Sequence, residues 1–242
     1  MKSYALIGYP LSHSFSKKYF DEKFEKEKIS NVEFKLFSIE NISLLHEIIE
    51  HENLQGFAVT IPHKRNVISF LHESSNAVKE MNACNCVKIK GGKLIGFNTD
   101  VVGFKQSFIK HQQPHHNKAL ILGTGGASSA VAYVFNELKI LYKFVSRTKT
   151  VNNFTYNELN KEVMEEYPVI VNATPTGTFP NVDDCPAIPY PYLSSQHYLF
   201  DLIYNPTETK FLRLGKEKKA VVQNGYEMLV LQAEENWKIW ND

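Results

Sequence analysis

Residues 118–133 read KALILGTGGASSAVAY. An apolar run of strand length ends at Gly123, and Gly125 and Gly126 open a stretch of small residues suited to a helix. Glycines in such a turn let backbone amides approach a pyrophosphate, and the helix N-terminus adds partial positive charge. A glycine cluster alone is weak evidence, because many strand-to-helix turns use glycine for geometry. Here the strand before and the helix after it point to a dinucleotide site, although the spacing G-x-G-G-A departs from G-x-G-x-x-G. Downstream, LYKFVSRT (141–148), PVIVNAT (168–174) and HYLFDLIY (197–204) each read as strands, which together predict a parallel nucleotide-binding sheet.

The strand LYKFV runs into Ser146, Arg147, Thr148 and Lys149, where an NAD enzyme commonly places a carboxylate for the ribose hydroxyls. A guanidinium fork, a hydroxyl and an ammonium suit a 2′-phosphate instead. NADP is therefore expected as the cofactor. The plainer alternative is an exposed basic turn.

Upstream, YALIG, the amphipathic stretch 17–28, EFKLF and the stretch 43–51 follow one another in a βαβ rhythm. Tyr19, Phe20 and Phe24 form the apolar face of the first helix. GFAVTI (56–61) reads as a strand stopped at Pro62, and ACNCVKIKGGKLIGFN (83–98) as a hairpin about Gly91 and Gly92. The polar stretch HQQPHHN (111–117) marks a change of domain. A last helix, from about Glu227, offers Met228, Leu231, Trp237 and Trp240 as a packing face. The fold class expected is α/β in two domains, residues 1–102 with 226–242 and residues 103–225.

The 242 residues are 43% hydrophobic and 22% charged, which excludes a disordered chain. Lys and Arg total 27 against 26 Asp and Glu, so no overall field favours nucleic acid or an anionic membrane, and neither is expected as a partner. The N-terminal apolar run breaks at Gly8 and Pro10, too soon for a signal-peptide core, and no stretch approaches membrane-spanning length. The cytoplasm is the expected compartment. Cys84, Cys86 and Cys185 do not suggest a disulfide framework, and with His111, His115 and His116 they lack zinc-module spacing. No metal is expected; the cysteines read as half-buried thiols and the histidines as a solvated loop.

Three segments place reactive residue types at strand ends. Ser14 and Ser16 in SHSFS can hold a carboxylate or hydroxyl, or Ser16 can cap the helix that follows. Thr60 and Lys64 in VTIPHK flank Pro62, where an ordinary surface lysine is the prior reading. Asp100 closes GFNTD, where an Asx turn is the plain alternative. Together they make chemical sense, because reducing a carbonyl needs a proton donor at oxygen as hydride reaches carbon. Lys64 can be that donor, with Asp100 orienting its ammonium and favouring its charged form.

GYPLSHSFS, VTIPHK, NACN, GFNTD, GTGGA, SRT, NATPTG, DLIYNPTET and NGYEMLVLQA occur in an order that resembles the shikimate dehydrogenase family over almost the whole chain. The resemblance implies NADPH-dependent reduction of 3-dehydroshikimate to shikimate, on the route to chorismate and the aromatic amino acids. It implies a substrate-binding N-terminal domain, a Rossmann-like NADP domain, a cleft between them, and a last helix that returns to the first domain. Ser14, Ser16, Thr60, Asn85, Asp100, Tyr204 and Gln232 match positions that hold the substrate, and Lys64 matches the catalytic lysine. Gly123, Thr124, Gly125, Gly126 and Ala127 match the pyrophosphate loop. Ser146, Arg147 and Thr148, with Lys149 as a compensating cation, match the segment that reads the 2′-phosphate. Ala173, Thr174, Leu202 and Gly225 match the nicotinamide wall.

Some positions depart from the family. Lys17 replaces a proline, Ala58 an asparagine, Asn82 a glycine and Cys86 a threonine; Ser146 replaces an asparagine, and Val151 a second basic residue. A monomer or homodimer is expected. The alternatives are a quinate/shikimate dehydrogenase-like paralogue with broader substrate or NAD use, and a catalytically silent nucleotide-binding regulator.

Overall fold

The computed structural model describes residues 1–11 and 14–242, so Ser12 and His13 of SHSFS lie outside the described residues. The chain forms two compact units, residues 1–99 with 232–242, and residues 100–231.

The first unit contains strands β1 (Lys2–Gly8), β2 (Val32–Ser38), β3 (Leu54–Val59), β4 (Glu73–Ser74), β5 (Cys86–Lys90) and β6 (Lys93–Phe97), with helices α1 (Phe15–Lys26), α2 (Leu45–Glu52) and α3 (Asn76–Met81). Their sheet order is β2-β1-β3-β5-β6-β4. Strands β1, β2 and β3 pair in parallel, and β5 and β6 form the hairpin expected around Gly91 and Gly92. Strand β1 is covered on both faces, as parallel strands usually are. Ala5 and Ile7 enter one apolar cluster with Phe57, Val59 and Val87, while Tyr4 and Leu6 enter another with Phe20, Phe34 and Trp240. The chain order β2-β1-β3 reverses direction at β1, and the segments leaving β1 and β3 stay side by side, with Tyr9 N donating to Ile61 O at 2.9 Å. Such switch points are where α/β sheets bind ligands.

The second unit opens with α4 (Asp100–Ile109) and continues through β7 (Lys118–Leu122), α5 (Gly126–Glu137), β8 (Leu141–Ser146), β9 (Asn153–Thr155), α6 (Lys161–Glu166), β10 (Val169–Asn172), β11 (Tyr198–Asp201), α7 (Lys210–Glu217) and β12 (Val221–Gln223). The sheet is parallel in the order β12-β11-β10-β7-β8-β9. Counted from β7, this is the doubly wound order 3-2-1-4-5-6 of dinucleotide-binding sheets, with its switch point between β7 and β10. Residues 111–117 lie inside this unit between α4 and β7. They are not a uniformly solvated loop: His116 is only 2% exposed. Its Nδ1 accepts from Gln113 N at 3.0 Å, and its Nε2 lies 3.2 Å from Gln196 O.

Helix α8 (Tyr226–Asn241) leaves the second unit and ends in the first. Its buried stripe is Gln232, Ala233, Asn236 and Trp240, so two of its four members are amides rather than the all-apolar face expected. Trp240 stacks on Tyr4 at 5.1 Å and donates from Nε1 to Val87 O at 3.0 Å. Lys23 of α1, nearly buried, is held by Glu234 at 2.9 Å and Glu27 at 2.7 Å, which gives the buried ammonium the counter-charges it needs. Cys84 and Cys86 are fully buried, not half-buried, and burial pushes the Cys84 thiol up to about 11. Among the described residues no helix is long and apolar enough to cross a membrane.

Candidate active site

In the first unit Ser14 and Ser16 follow β1, while Thr60 and Lys64 follow β3. Helix α1 begins at Phe15, and its cap is Ser14 rather than Ser16: Ser14 Oγ accepts from Lys17 N at 3.4 Å. Among the described residues nothing accepts the Ser14 hydroxyl hydrogen, and Ser16 sits in the first turn. Thr60 follows β3 and donates its amide to Ile7 O at 2.9 Å, which pins it beside β1. Lys64 lies on the turn beyond Pro62, and its carbonyl accepts from Cys84 N at 2.8 Å. Asn85 is tied to the same region through Val59 N, which donates to its carbonyl at 2.8 Å.

A chain of buried polar groups links Asn85 to α8. Asn85 Oδ1 accepts from Thr99 N at 2.7 Å, Thr99 Oγ1 donates to Asn236 Oδ1 at 2.7 Å, and Asn236 Nδ2 donates to Gln232 Oε1 at 3.4 Å. The hydroxyl of Thr99 also lies 3.2 Å from Asn85 Oδ1, but it has one hydrogen and the shorter contact claims it. Asn85 therefore keeps its Nδ2 for another acceptor, and Asp100 follows directly from a threonine held at both its amide and its hydroxyl. Thr99 and Asn236 were not among the residues expected to matter. No sequence pattern relates positions so far apart, although an asparagine on the apolar stripe of a helix was a signal.

In the second unit a cavity of about 580 Å³ opens beside the glycine turn. Its lining includes Gly123, Thr124, Gly125, Ser146, Arg147, Ala173 and Thr174, all expected from sequence, together with Tyr156, Pro175, Thr176, Cys185 and Pro186, which were not. Gly126, Ala127, Thr148, Lys149, Leu202, Tyr204 and Gly225 do not line it. Gly123 has φ +95°, and a Cβ there would lie 2.9 Å from Thr174 Cγ2, so the turn requires glycine for both reasons. Nothing lies within 4 Å of where a Cβ would stand on Gly125 or Gly126, at the N-terminus of α5. This exposed cradle of amides fits a pyrophosphate.

The walls are fixed by a polar pair that sequence reading overlooked. Asn172, fully buried at the end of β10, accepts from Thr174 N at 3.1 Å and Thr174 Oγ1 at 2.6 Å, and donates to Asp201 Oδ1 at 3.0 Å. Asp201, fully buried at the end of β11, also accepts from Ile203 N at 3.1 Å and Thr209 Oγ1 at 2.6 Å. Burial pushes the Asp201 carboxyl up to about 6 while these three donors pull it down. Since each of these neighbours donates, the geometry serves the anion. Leu202 is thereby held between two anchored residues, and Gly225 N donates to Ile203 O at 3.0 Å beside it. The polar tail on each apolar strand, Asn172 after VIV and Asp201 after YLF, was the signal available.

Arg147 is exposed and lines the cavity near Tyr156, and among the described residues no carboxylate is ion-paired with it. The segment 146–149 carries no acidic residue.

Residues 6–87 match the family model described as the shikimate dehydrogenase substrate binding domain. The NADP(+) shikimate dehydrogenase of Clostridium beijerinckii is 36% identical over all of this chain and 93% of its own. The chain belongs to the shikimate dehydrogenase family. Among solved structures of the family, shikimate dehydrogenase 1 of Peptoclostridium difficile is 36% identical, with a TM-score of 0.83 over 100% of this chain and 92% of its own. The Thermus thermophilus enzyme, in complex with NADP(H) and shikimate, is 27% identical, with a TM-score of 0.87 over 99% and 93%. Family membership accounts for the α/β architecture of both units.

Proposed function

We propose that this chain is an NADP-dependent shikimate dehydrogenase that reversibly reduces 3-dehydroshikimate to shikimate, acting in the cytoplasm as a monomer or homodimer. The observation that carries the reading is the cavity beside the glycine turn, into which β8 delivers Arg147 where an NAD enzyme would place a carboxylate. On this reading residues 103–225 form the cofactor domain, and residues 1–102 with 226–242 the substrate domain.

The amides around Gly125 and Gly126 hold the pyrophosphate, Arg147 reads the 2′-phosphate, and Ala173, Thr174, Leu202 and Gly225 form the nicotinamide wall. NADPH, when bound, supplies the hydride to the ring carbonyl carbon. Ser14 and Ser16 hold the substrate carboxylate by hydroxyl donation, and Thr60, Asn85, Tyr204 and Gln232 hold its hydroxyls. Lys64 donates a proton to the carbonyl oxygen as the carbon–hydrogen bond forms, and takes it back in the reverse direction. Asp100 accepts from a substrate hydroxyl and orients the lysine.

Purified protein mixed with 3-dehydroshikimate and NADPH should lose absorbance at the nicotinamide wavelength; no loss would overturn the assignment. Lys64→Ala should lower kcat by roughly 10² or more, with a smaller change in KM. Turnover near that of the parent would remove Lys64 from the mechanism. Running quinate and NADH alongside tests the broader paralogue.

A further inference from the structure

The turn after β8 carries two cations, and the structure treats them differently. Lys149 Nζ donates to Glu158 Oε1 at 2.6 Å and to Asn153 O at 3.0 Å, and lies 5.8 Å from the centre of the Phe154 ring. Glu158 in turn accepts through Oε2 from Thr155 N at 2.7 Å and Thr155 Oγ1 at 2.9 Å, closing a capping box on the turn Tyr156–Glu158. Lys149 and these donors hold the Glu158 carboxyl down to about 2, so it is ionised at neutral pH. Both oxygens are engaged, which leaves Glu158 poorly placed to take ribose hydroxyls.

Among the described residues no carboxylate pairs with Arg147, but its backbone is clamped. Asn153, only 7% exposed, donates through Nδ2 to Ser146 Oγ at 2.6 Å and to Thr148 O at 2.8 Å, one residue to either side of Arg147. Its Oδ1 accepts from Thr150 N at 2.5 Å and Thr150 Oγ1 at 2.9 Å. Two donors and two acceptor positions exhaust the hydrogen-bonding capacity of the amide. One side chain therefore determines the shape of the whole turn.

We propose that Asn153 and Glu158 set the cofactor preference: Asn153 fixes the turn that aims Arg147, and Glu158 holds Lys149 away, so that Arg147 alone reads the 2′-phosphate. The inference rests on the NADP reading above and assigns positioning roles to two residues outside the cavity lining. It also explains how a chain with Val151 in place of a second basic residue recognises the phosphate without Lys149 as a substitute.

The test is calorimetric titration of the full-length protein with 2′,5′-ADP and with 5′-AMP, which differ in the 2′-phosphate and require no turnover. Arg147→Met should weaken 2′,5′-ADP by about tenfold or more and leave 5′-AMP unchanged, the scale of a charge-assisted contact. The charge-balanced double variant Lys149→Met/Glu158→Gln should stay within about twofold of the parent for both ligands, because it removes no phosphate contact. Glu158→Gln alone keeps the cap, frees the ammonium and should tighten 2′,5′-ADP by about threefold. Asn153→Ala should weaken 2′,5′-ADP by about tenfold with little change for 5′-AMP.

A double variant that loses as much as Arg147→Met would make Lys149 a ligand and overturn the proposal. So would an unchanged ligand ratio in Glu158→Gln, a surface change that leaves the fold intact. The parent protein reports separately on the underlying reading: equal binding of the two ligands by the parent would sink the NADP assignment itself, whereas a clear parent preference with unaffected variants sinks only the clamp.

Discussion

Thr99→Val tests whether the buried chain of amides between β6 and α8 holds the substrate-side residues in place. Thr99 is 1% exposed and so is Asn236, whose Oδ1 accepts the Thr99 hydroxyl at 2.7 Å. Valine has nearly the shape of threonine but no donor, so the change strands a buried acceptor and leaves the packing alone. An unmet buried acceptor costs about 1–3 kcal/mol. Taking about 2 kcal/mol, the midpoint should fall by about 4–8 °C in a chain of this length. Thr99→Ser is the control: it keeps the hydroxyl and removes one methyl, at a cost of about 1 kcal/mol. Serine should therefore be the more stable variant by about 1 kcal/mol, although it is the worse isostere. Because Thr99 N also satisfies Asn85 at 2.7 Å and Asp100 follows Thr99, the valine variant should lose more kcat/KM than the serine variant. Urea denaturation of both, compared at equal m, reads the stability difference. If valine proved more stable than serine by about 1 kcal/mol, the hydrogen bond would contribute nothing and the network argument would fail.

Two further outcomes follow from the second unit. Gly225→Ala would place a Cβ 2.2 Å from Leu202 O and 2.6 Å from Leu202 C, both backbone atoms, so the strand end or the start of α8 must move. A loss of about 1–3 kcal/mol is expected, together with weaker protection of the thermal midpoint by NADPH; an unchanged NADPH-induced shift would detach Gly225 from the cofactor wall. His197, 3% exposed, accepts at Nδ1 from Ser194 N at 3.0 Å and donates from Nε2 to Met164 O at 2.9 Å, and burial lowers its pKa below 6.5. The unfolded chain thus takes the proton first, so this contribution is whole above the unfolded pKa and is lost as pH falls towards the folded one. The stability gap between the parent and His197→Gln should narrow from about pH 7 to about pH 5, and a constant gap across that range would contradict the assignment.

Periodicity and turn chemistry made the architecture legible because they are local. The run from Lys118 to Tyr133 contains strand, turn and helix in sixteen consecutive letters, and the hairpin at Gly91 and Gly92 likewise needs only its neighbours. The histidines show where locality ends. In HQQPHHN the polar composition suggested a solvated loop, yet His116 is buried because Gln113 N and Gln196 O meet its two ring nitrogens, and Gln196 is eighty residues away. The end of α8 is a similar case: Trp240 was legible as an apolar anchor, while Asn236 acquires meaning only through Thr99.

The same limit governs the site. Glycine turns and a basic strand end can be seen one at a time, so Gly123 and Arg147 stood out in the sequence, whereas Lys64 alone read as an ordinary surface lysine. What separates Arg147 from Lys149 is not residue type, because both are cations two positions apart. It is whether a carboxylate elsewhere already holds the side chain, and Glu158 does so for Lys149 at 2.6 Å. A cation neutralised by a neighbouring carboxylate offers an incoming phosphate less net attraction, since the ion pair must be broken before the contact can form. The functional weight of a charged residue in such a turn is therefore set by competition between an internal partner and the ligand, and the competitor here lies on the capping turn after β9.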